Sequence, residues 1–301
     1  MKKFTRRNGL KLLMLPALRA KRAASDELAG LSNRIERLTR RIPSRSRQAL
    51  SGSEFAEHVS KMDSQQREQA ILGEVLKGNV PDFLRSLVPV AFKHPLALAT
   101  LTATAFVMPD YVAIGSDRDF LRIPMNLHTA EAIGASFGFI LPTKKMVDAV
   151  YDQSGYRFTP QPLPAGPRMR STQYYQIHNQ MIEEQSHAHS IPLGALVSGH
   201  KKDVVITNRL VQRPSQIAIY GWHRASGAPI QPLSTVHGAG YADYSHGIRL
   251  ISETVLIDGE ARSVSDTLQD SLLANLLSDE GAIRMPPELL LASRNTNPAT
   301  E

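Results

Sequence analysis

The sequence predicts an α+β protein, with a mixed or antiparallel sheet, flanking helices and a preceding basic helical N-terminal segment. Short strands and helices alternate too irregularly for a doubly wound parallel sheet. Basic residues are concentrated at one end: residues 1–50 contain 14 Lys and Arg against 3 Asp and Glu, whereas the other 251 residues contain 21 against 25. We therefore divide the chain into a basic segment, residues 1–50, and a single α+β domain, residues 51–290.

The composition excludes several classes of function. Of the 301 residues, 42% are hydrophobic and 21% are charged, which is typical of a globular domain. The absence of cysteine excludes disulfides, thiolate metal sites and cysteine nucleophiles. No apolar run approaches the roughly 18–20 residues of a membrane span. The slightly acidic body is not expected to bind nucleic acid through its surface.

The N-terminal segment contains a short basic motif. The run from Thr5 to Lys11, TRRNGLK, resembles the twin-arginine export motif, and a short apolar stretch from Leu12 to Leu18 follows it. The alternative is a basic amphipathic tail. Residues 26–41 predict an amphipathic helix with a basic face, which is either a solvated leading helix or one that lies on an anionic membrane surface or covers a partner. Residues 1–50 as a whole are candidates for contact with a membrane or with an export machinery. Residues 42–54, rich in Ser and Arg, are predicted to be a linker.

The first half of the body alternates between helix and strand patterns. Residues 54–78 predict one or two helices ending at Gly78. Two β-rich runs on either side of Pro109-Asp110 predict a hairpin that ends near Gly115. Helices are then predicted over residues 128–139, 142–155 and 171–190, and the second of these would start at Pro142. The proline-rich residues 158–169 between the last two predict an extended surface loop.

The second half of the body is mixed. Residues 203–210 and 216–223 predict strands, and residues 227–237 predict a loop leading to a short strand. Residues 247–264 predict one strand or a pair with Asp258-Gly259 as the turn. Residues 264–281 predict a helical region with Ser265 as a candidate N-cap. The last dozen residues are predicted to fray.

Histidines cluster in one part of the chain. Seven of the ten lie between residues 178 and 246: His178, His187, His189, His200, His223, His237 and His246. Neutral imidazoles bind zinc, copper, iron or nickel when three or four converge. A divalent transition metal is therefore one candidate cofactor, although no HExxH motif is present.

The densest reactive stretch is VHGAGYADYSHGIRL, residues 236–250. One interpretation pairs Ser245 as nucleophile with His237 or His223 as base, because adjacent Ser and His side chains on a strand face opposite ways. Another makes Tyr244 or Tyr241 a proton donor and a histidine the base. The candidate catalytic residues are His223, His237, Tyr244, Ser245 and His246.

Two other stretches are expected to join this site. GHKKDVV, residues 199–205, and YGWH, residues 220–223, lie at predicted strand ends, where rigid scaffolds present reactive groups. Lys201 or Arg249 would hold an anionic substrate, and the only tryptophan suits stacking on a ligand. The candidate substrate-binding residues are His200, Lys201, Asp203, Trp222, Tyr241 and Arg249.

Two resemblances rest on these motifs. Residues 244–250, YSHGIRL, resemble the Ser-His-Gly-Cys-Ile/Val-Arg motif of L,D-transpeptidases, and His237-Gly238 matches the upstream His-Gly of that family. The nucleophilic cysteine is missing here, so the thiol chemistry that the resemblance implies cannot operate. GHKKDVV, YGWH, PIQPL and YSHGIRL together resemble a group of uncharacterised, exported bacterial proteins, which implies export and one domain but no activity.

These observations lead to three hypotheses. The first is an exported hydrolase or transferase that acts on a cell-envelope or polysaccharide polymer through a pocket rich in His, Tyr and Ser. The second is a non-catalytic protein that binds a small molecule or a metal through the same residues. The third is a structural or assembly protein with a basic N-terminal arm. The expected location is periplasmic or extracellular, and the alternative is cytoplasmic.

Overall fold

The computed structural model describes residues 41–97 and 100–284, and the predicted export motif, amphipathic helix and frayed end lie outside them. Within this part the helices are α1 (Gly52–His58), α2 (Ser64–Leu76), α3 (Leu127–Phe137), α4 (Lys144–Gln153), α5 (Thr172–Ala188), α6 (Val264–Gln269) and α7 (Ala274–Leu277). The strands are β1 (Val88–Pro95), β2 (Thr100–Val107), β3 (Ala113–Ser116), β4 (Asp119–Arg122), β5 (Phe139–Ile140), β6 (Tyr156–Arg157), β7 (Val197–Ser198), β8 (Lys202–Val204), β9 (Gln216–His223), β10 (Pro229–Gly238), β11 (His246–Gly247), β12 (Ile251–Ile257) and β13 (Glu260–Ser263). The α+β prediction is confirmed.

The first sheet is antiparallel and has the order β1-β2-β12-β13, with β5 also paired to β12. Its inner strands alternate less than those of an exposed sheet would, because helix α7 contacts β2 and helix α6 contacts β12. Ala105 of β2 and Val255 of β12 are fully buried and form part of its core. None of the candidate site residues lies in this sheet.

The second sheet contains the candidate site. Its order is β10-β9-β8-β11; β8, β9 and β10 pair antiparallel, and β11 pairs parallel to β8. The edge strand β10 was predicted as a loop with a short strand, but it runs for ten residues. Register shifts between Gln231 and Ser234 and between Ser234 and His237 let this proline-containing strand pair along its length.

The predicted hairpin around Pro109-Asp110 is wrong. Strand β2 pairs with β1 and β12, whereas β3 pairs with β4. The chain between them continues alongside residues 248–250, because Met108 N bonds to Leu250 O and Val112 N bonds to Ile248 O. Asp110 is buried in this passage and does not turn the chain.

The helix predictions are confirmed, with corrections at their starts. Gly78 follows α2 with φ 80°, the left-handed conformation that ends a helix. The N-cap of α4 is Thr143, whose side chain accepts from Met146 N, and not Pro142. The predicted helical region 264–281 splits into α6 and α7, and the N-cap of α6 is Ser263, not Ser265.

The strand predictions for residues 203–210 and 247–264 differ in outcome. The first is too long, because β8 ends at Val204 and residues 208–212 form a 3₁₀ helix. The second is confirmed as a hairpin: Asp258 and Gly259 have φ 48° and 87°, as a two-residue hairpin turn requires. The carboxylate of Asp258 also accepts from the backbone and hydroxyl of Thr102.

Residues 41–50, predicted as part of the basic segment and linker, pack on the body. Ile42 is buried, and the Arg45 guanidinium binds Asn79 and the carbonyls of Ala49 and Leu50. The compact unit that contains the body begins at Arg41. No helix among the described residues is long and apolar enough to cross a membrane.

Candidate functional site

Strand β8 brings the three predicted stretches together. Its Lys202 and Asp203 pair with His246 and Gly247 of β11, and its other edge pairs Lys202 with Gly221 of β9. Segments that are up to about forty residues apart in the chain therefore become neighbours in one small sheet. Around β8 the polar side chains divide into several groups, which differ in their contacts and in their access to solvent.

The first group, here called the His246 group, consists of His246, Asp243, Tyr241 and His237. The His246 ring is fully buried, and its Nε2 lies 3.9 Å from Oδ2 of Asp243. Tyr241 donates its hydroxyl to the same oxygen at 3.0 Å. The ring of His237 stacks on Tyr241 at 4.2 Å and lies 6.5 Å from the His246 ring. His237 and Tyr241 are half-buried, so they form the outer side of the group.

Both ring nitrogens of His246 lack a hydrogen-bond partner among the described residues. Leaving a buried polar group unpaired costs about 1–3 kcal/mol. Burial lowers the pKa of His246 and keeps the ring neutral. Burial acts to raise the pKa of Asp243, but His246 and the hydrogen bonds from Ser245 together lower it. The group therefore holds a neutral imidazole against an ionised carboxylate.

Tyr241 is a proton-bearing group at neutral pH. Burial, and then the charge of Asp243, raise the pKa of Tyr241 to about 12. Two cations lie nearby. The Arg170 guanidinium lies 5.5 Å from the centre of the Tyr241 ring, and the Lys202 ammonium lies 5.3 Å from the centre of the Trp222 ring. A partly exposed imidazole and a phenol thus belong to the His246 group, with one cation over the Tyr241 ring and another over the Trp222 ring.

Trp222 is held in an unusual backbone conformation. Its φ is 54° and follows φ 104° at Gly221, so the alternation of β9 is broken before Trp222. A non-glycine residue at positive φ is uncommon and marks local strain. The ring is buried between Lys202, His178 and Tyr244, and its Nε1 has no partner among the described residues.

Lys201 is buried, contrary to the usual solvated state of a lysine. Its Nζ donates to the carbonyl of Tyr244 at 2.7 Å and lies 3.4 Å from Nδ1 of His178. Burial lowers the pKa of Lys201 to about 7. Burial and then the Lys201 charge hold the pKa of His178 far below its usual range. Lys201, the residue before β8, therefore binds the stretch of residues 236–250 from inside the protein.

Arg249 and Asp203 form a second buried group with Tyr111. Tyr111 donates its hydroxyl to Oδ2 of Asp203 at 2.8 Å, and the Arg249 guanidinium lies 4.6 Å from the centre of the Tyr111 ring. Arg249 donates to the carbonyls of Met108 and Val197. Burial raises the pKa of Asp203 to about 6. Arg249 was predicted to hold an anionic substrate. Its guanidinium is instead buried and donates to backbone carbonyls.

His200 belongs to a third group, with Asp110 and Arg122. The sequence indicated His200 as a site residue but did not indicate these two partners. Its Nε2 lies 2.9 Å from Oδ1 of Asp110, and Arg122 binds Oδ2 of Asp110 at 2.8 Å. Arg122 also binds Glu183 at 2.6 Å. Burial lowers the pKa of His200 to about 4, so the ring is neutral. Asp110 follows a proline and looked like a turn residue, and no sequence signal marked its burial.

His223 lies in a fourth group with Asp148 and Tyr151. Its Nε2 lies 3.2 Å from Oδ1 of Asp148, and its ring stacks on Tyr151 at 4.5 Å. Asp148 was not predicted, because it lies in α4, far from His223 in sequence. The structure therefore brings together His237 and His246 but places His200 and His223 elsewhere around β8.

Tyr244 and Ser245, two of the candidate catalytic residues, form hydrogen bonds with groups other than a histidine. The hydroxyl of Tyr244 accepts from Leu163 N at 2.7 Å and donates to Leu163 O, which fastens the proline-rich loop. The hydroxyl of Ser245 donates to Oδ1 of Asp243 at 2.6 Å and bonds no histidine. The predicted Ser–His nucleophile pair is thus not formed, and Tyr244 acts as a structural anchor.

Metal binding was the remaining cofactor hypothesis. Within residues 41–97 and 100–284, no group of three or more His, Asp or Glu side chains is arranged to hold a metal ion. His187 lies in the last turn of α5 and His189 caps its end, so this pair lies on a helix end away from β8.

Gly247 is where β11 passes closest to the interior. A Cβ at Gly247 would lie 2.6 Å from two ring carbons of Tyr111 and 2.9 Å from Cβ of Lys201, whereas at Gly240 it would meet nothing within 4 Å.

We expect Gly247→Ala to lower the free energy of unfolding by about 1–3 kcal/mol through overpacking. Gly240→Ala, the matched control, should change it by less than about 0.5 kcal/mol. Urea unfolding checks this, and equal effects of the two substitutions would contradict it.

Comparisons of this chain with protein-family models, with curated proteins and with solved structures gave no match.

Proposed function

We propose that this chain is an acid–base enzyme, a hydrolase or transferase that acts on a cell-envelope or polysaccharide polymer through the His246 group. The observation that carries the proposal is a fully buried imidazole beside the ionised Asp243, with two ring nitrogens that have no hydrogen-bond partner in the described part of the chain. Unpaired polar groups in the interior are rare and concentrate where function requires them. Beside this imidazole, a phenol and a second imidazole lie at the surface.

The two half-buried members, His237 and Tyr241, are the groups that would touch the substrate. His237 would act as the general base and take a proton from the attacking water or acceptor hydroxyl. Tyr241 would act as the general acid: its hydroxyl would turn from Asp243 and donate its proton to the leaving oxygen. The raised pKa of Tyr241 supports this role, since the phenol is protonated at neutral pH. After the reaction His237 releases its proton to solvent and Tyr241 takes one from solvent, so the protons balance over one turnover.

Asp243 and His246 would act as positioning residues. Asp243 accepts from Tyr241 at one oxygen and from the Ser245 hydroxyl and backbone at the other, which fixes the carboxylate. His246 fills the space behind Tyr241, with ring centres 5.7 Å apart. Rigid support of this kind holds acid and base in the productive geometry.

The nearby cations favour an anionic polymer. Arg170 and Lys202 lie over the faces of Tyr241 and Trp222, so each positive charge is close to an aromatic surface. Because Trp222 is buried, a uronic acid or a carboxylate-bearing peptide would find the Arg170 cation for its charge and the half-buried rings of Tyr241 and His237 for its apolar face. Ser245 is bound to Asp243, which favours direct attack by water or acceptor over a serine-linked intermediate.

The test is an activity assay on polymers. Purified protein is incubated with insoluble peptidoglycan and, separately, with polygalacturonate, and the release of soluble fragments is measured. His237→Ala and Tyr241→Phe should each lower the initial rate about 100-fold or more, because each removes one proton-transfer group. The control is His128→Ala, which alters an exposed histidine in α3. Unchanged rates in both site variants, with turnover in the parent, would refute the proposed roles.

A second candidate function is binding without catalysis. An aromatic ring paired with a cation, as at Tyr241 and Arg170, is also what a non-catalytic site for an anionic sugar would use. Saturable binding of a polygalacturonate oligomer without fragment release, weakened by Tyr241→Ala, would support this candidate over the enzyme.

Such a polymer lies outside the cytoplasm, so the proposal includes a periplasmic or extracellular location, directed by the basic segment of residues 1–50. A cytoplasmic location is the alternative. Cell fractionation of the full chain, beside a form with Arg6 and Arg7 changed to Lys, distinguishes the two. Retention of both forms in the cytoplasm would exclude export by this motif.

A further inference from the structure

A cavity of about 470 Å³ lies at the edge of the second sheet, away from the His246 group. It is formed by the start of α4, by β9 and β10, by the 3₁₀ helix of residues 208–212 and by residues 278–280. Its volume is in the range of sites for small ligands, about 300–1,000 Å³. Because α4 and β9 are regular elements, the walls that they form are held in place by backbone hydrogen bonds.

One wall of the cavity is apolar. Pro229, Pro232 and Leu233 of β10 line it, and the buried ring of Tyr220 lies at its base. Two prolines on an edge strand leave little backbone hydrogen-bonding capacity there, so this wall offers van der Waals contact rather than polar contact. An apolar group of a ligand would be accommodated on this side.

The side chains at the base of the cavity are held by Asp148, both of whose carboxylate oxygens have partners. Asp148 accepts from the Tyr220 hydroxyl at 2.7 Å, from Nζ of Lys144 at 2.6 Å and lies 3.2 Å from Nε2 of His223. Lys144 lies over the face of Tyr220 at 4.9 Å. Since these contacts use both oxygens of Asp148, the base presents a rigid aromatic surface and one ammonium group.

The rim of the cavity carries charges of both signs with unused bonding capacity. Arg209 donates from Nη1 to Leu233 O, and its Nε and Nη2 have no partner among the described residues. Asp279, about half exposed, has one charged neighbour, Lys144 at 3.5 Å. Glu280 accepts at Oε2 from Thr207 and Asn208, and its Oε1 has no partner in the described part.

We propose that this cavity binds a short zwitterionic peptide. The free guanidinium donors of Arg209 would take the terminal carboxylate, because Arg binds carboxylates in a bidentate fork. Asp279 and Glu280 would take the terminal ammonium. The apolar wall would take a side chain. A ligand with only one sign of charge fits less well, because the two acids on the rim offset Lys144 and Arg209. This inference does not depend on the proposed enzyme activity.

The experiment uses calorimetric titration of the full chain with alanyl-leucine, with its N-acetyl derivative and with its C-terminal amide. We expect alanyl-leucine to bind with a Kd of about 1 mM or tighter. Each capped derivative should bind at least about tenfold more weakly, since each lacks one charge. Equal binding of all three, or no binding of alanyl-leucine by folded protein, would overturn the proposal.

Substitutions in the cavity test which residue binds which terminus of the peptide. Arg209→Gln should weaken alanyl-leucine about tenfold or more and leave the C-terminal amide nearly unchanged, because the amide never used the guanidinium charge. Asp279→Asn should show the same relation with the N-acetyl derivative. Arg262→Gln, an exposed arginine on β13, is the matched control and should bind like the parent. Loss of affinity in Arg209→Gln that is equal for the peptide and its amide would show that the arginine only supports the wall and would overturn its assigned role.

Discussion

Asp110→Asn is expected to lower the free energy of unfolding by about 3–5 kcal/mol. The side chains of Asp110 and Arg122 are each 4% exposed, so their ion pair is fully inside the protein. The substitution removes the only fully buried carboxylate that compensates the guanidinium, leaves the partly exposed Glu183 as its one remaining acidic partner among the described residues, and turns one acceptor into a donor facing Arg122. A buried charge that loses its buried partner costs far more than a surface pair is worth.

The matched control for this prediction is Asp82→Asn. Asp82 also binds an arginine, Arg85, at 3.0 Å, but its side chain is 77% exposed. Here the expected loss is within about 1 kcal/mol, because solvent screens the pair. Urea unfolding monitored by circular dichroism measures both variants. A loss for Asp110→Asn no larger than that for Asp82→Asn would contradict the buried ion pair.

The pH dependence of Asp110→Asn gives a second check. The Arg122 charge and the His200 ring oppose the effect of burial and hold the pKa of Asp110 well below its usual range. A carboxyl group with a lowered folded pKa stabilises the protein above its unfolded pKa and loses that effect as pH falls. The parent should therefore lose stability more steeply below about pH 4 than Asp110→Asn does.

The second large expected effect is the contribution of Lys201 to the pH dependence of the free energy of unfolding. Burial lowers its pKa in the folded state to about 7 from the ordinary value of 10.5. Between these values the unfolded chain binds the proton and the folded chain does not, so the free energy of unfolding rises with pH. The contribution of Lys201 to this slope is up to about 1.4 kcal/mol per pH unit.

Comparison with Lys201→Met isolates this contribution. The parent should gain stability from about pH 7 to pH 9.5 relative to Lys201→Met, whatever the absolute stability of the variant. Lys61→Met, an exposed lysine, should keep the slope of the parent. The window stops below pH 10 because the tyrosines with raised pKa values act in the opposite direction above it. Parallel pH curves for the parent and Lys201→Met would rule out a neutral buried lysine.

The elements with strong local signals were predicted well. Helices α3, α4 and α5 have polar caps and a 3.6-residue pattern, and the Asp258-Gly259 turn has the chemistry that a tight hairpin needs. The failed predictions were those that depend on distant partners. The β2 run was assigned to a hairpin with its neighbour in sequence, but its partners are β1 and β12, and β12 lies about 150 residues further along the chain.

The candidate site was predicted in part. The sequence indicated the stretch of residues 236–250, and His237, Tyr241 and His246 do lie together there. The sequence did not indicate which polar groups face inward. Tyr244 and Arg249 looked like reactive groups, but each bonds to backbone from a buried position. The buried partners Asp110, Arg122 and Asp148 carry no local pattern that separates them from surface residues.

The sequence by itself determined the fold class, the uneven charge of the two ends, the absence of thiol chemistry and the stretch where histidines gather. These properties depend on composition and on local periodicity, which neighbouring residues encode. Only the tertiary structure decided which histidine faces which carboxylate, because that depends on how β8, β9 and β11 pair. The same pairing buries Lys201 and leaves His246 without a hydrogen-bond partner among the described residues, since burial and pairing are properties of the assembled sheet and not of any single segment.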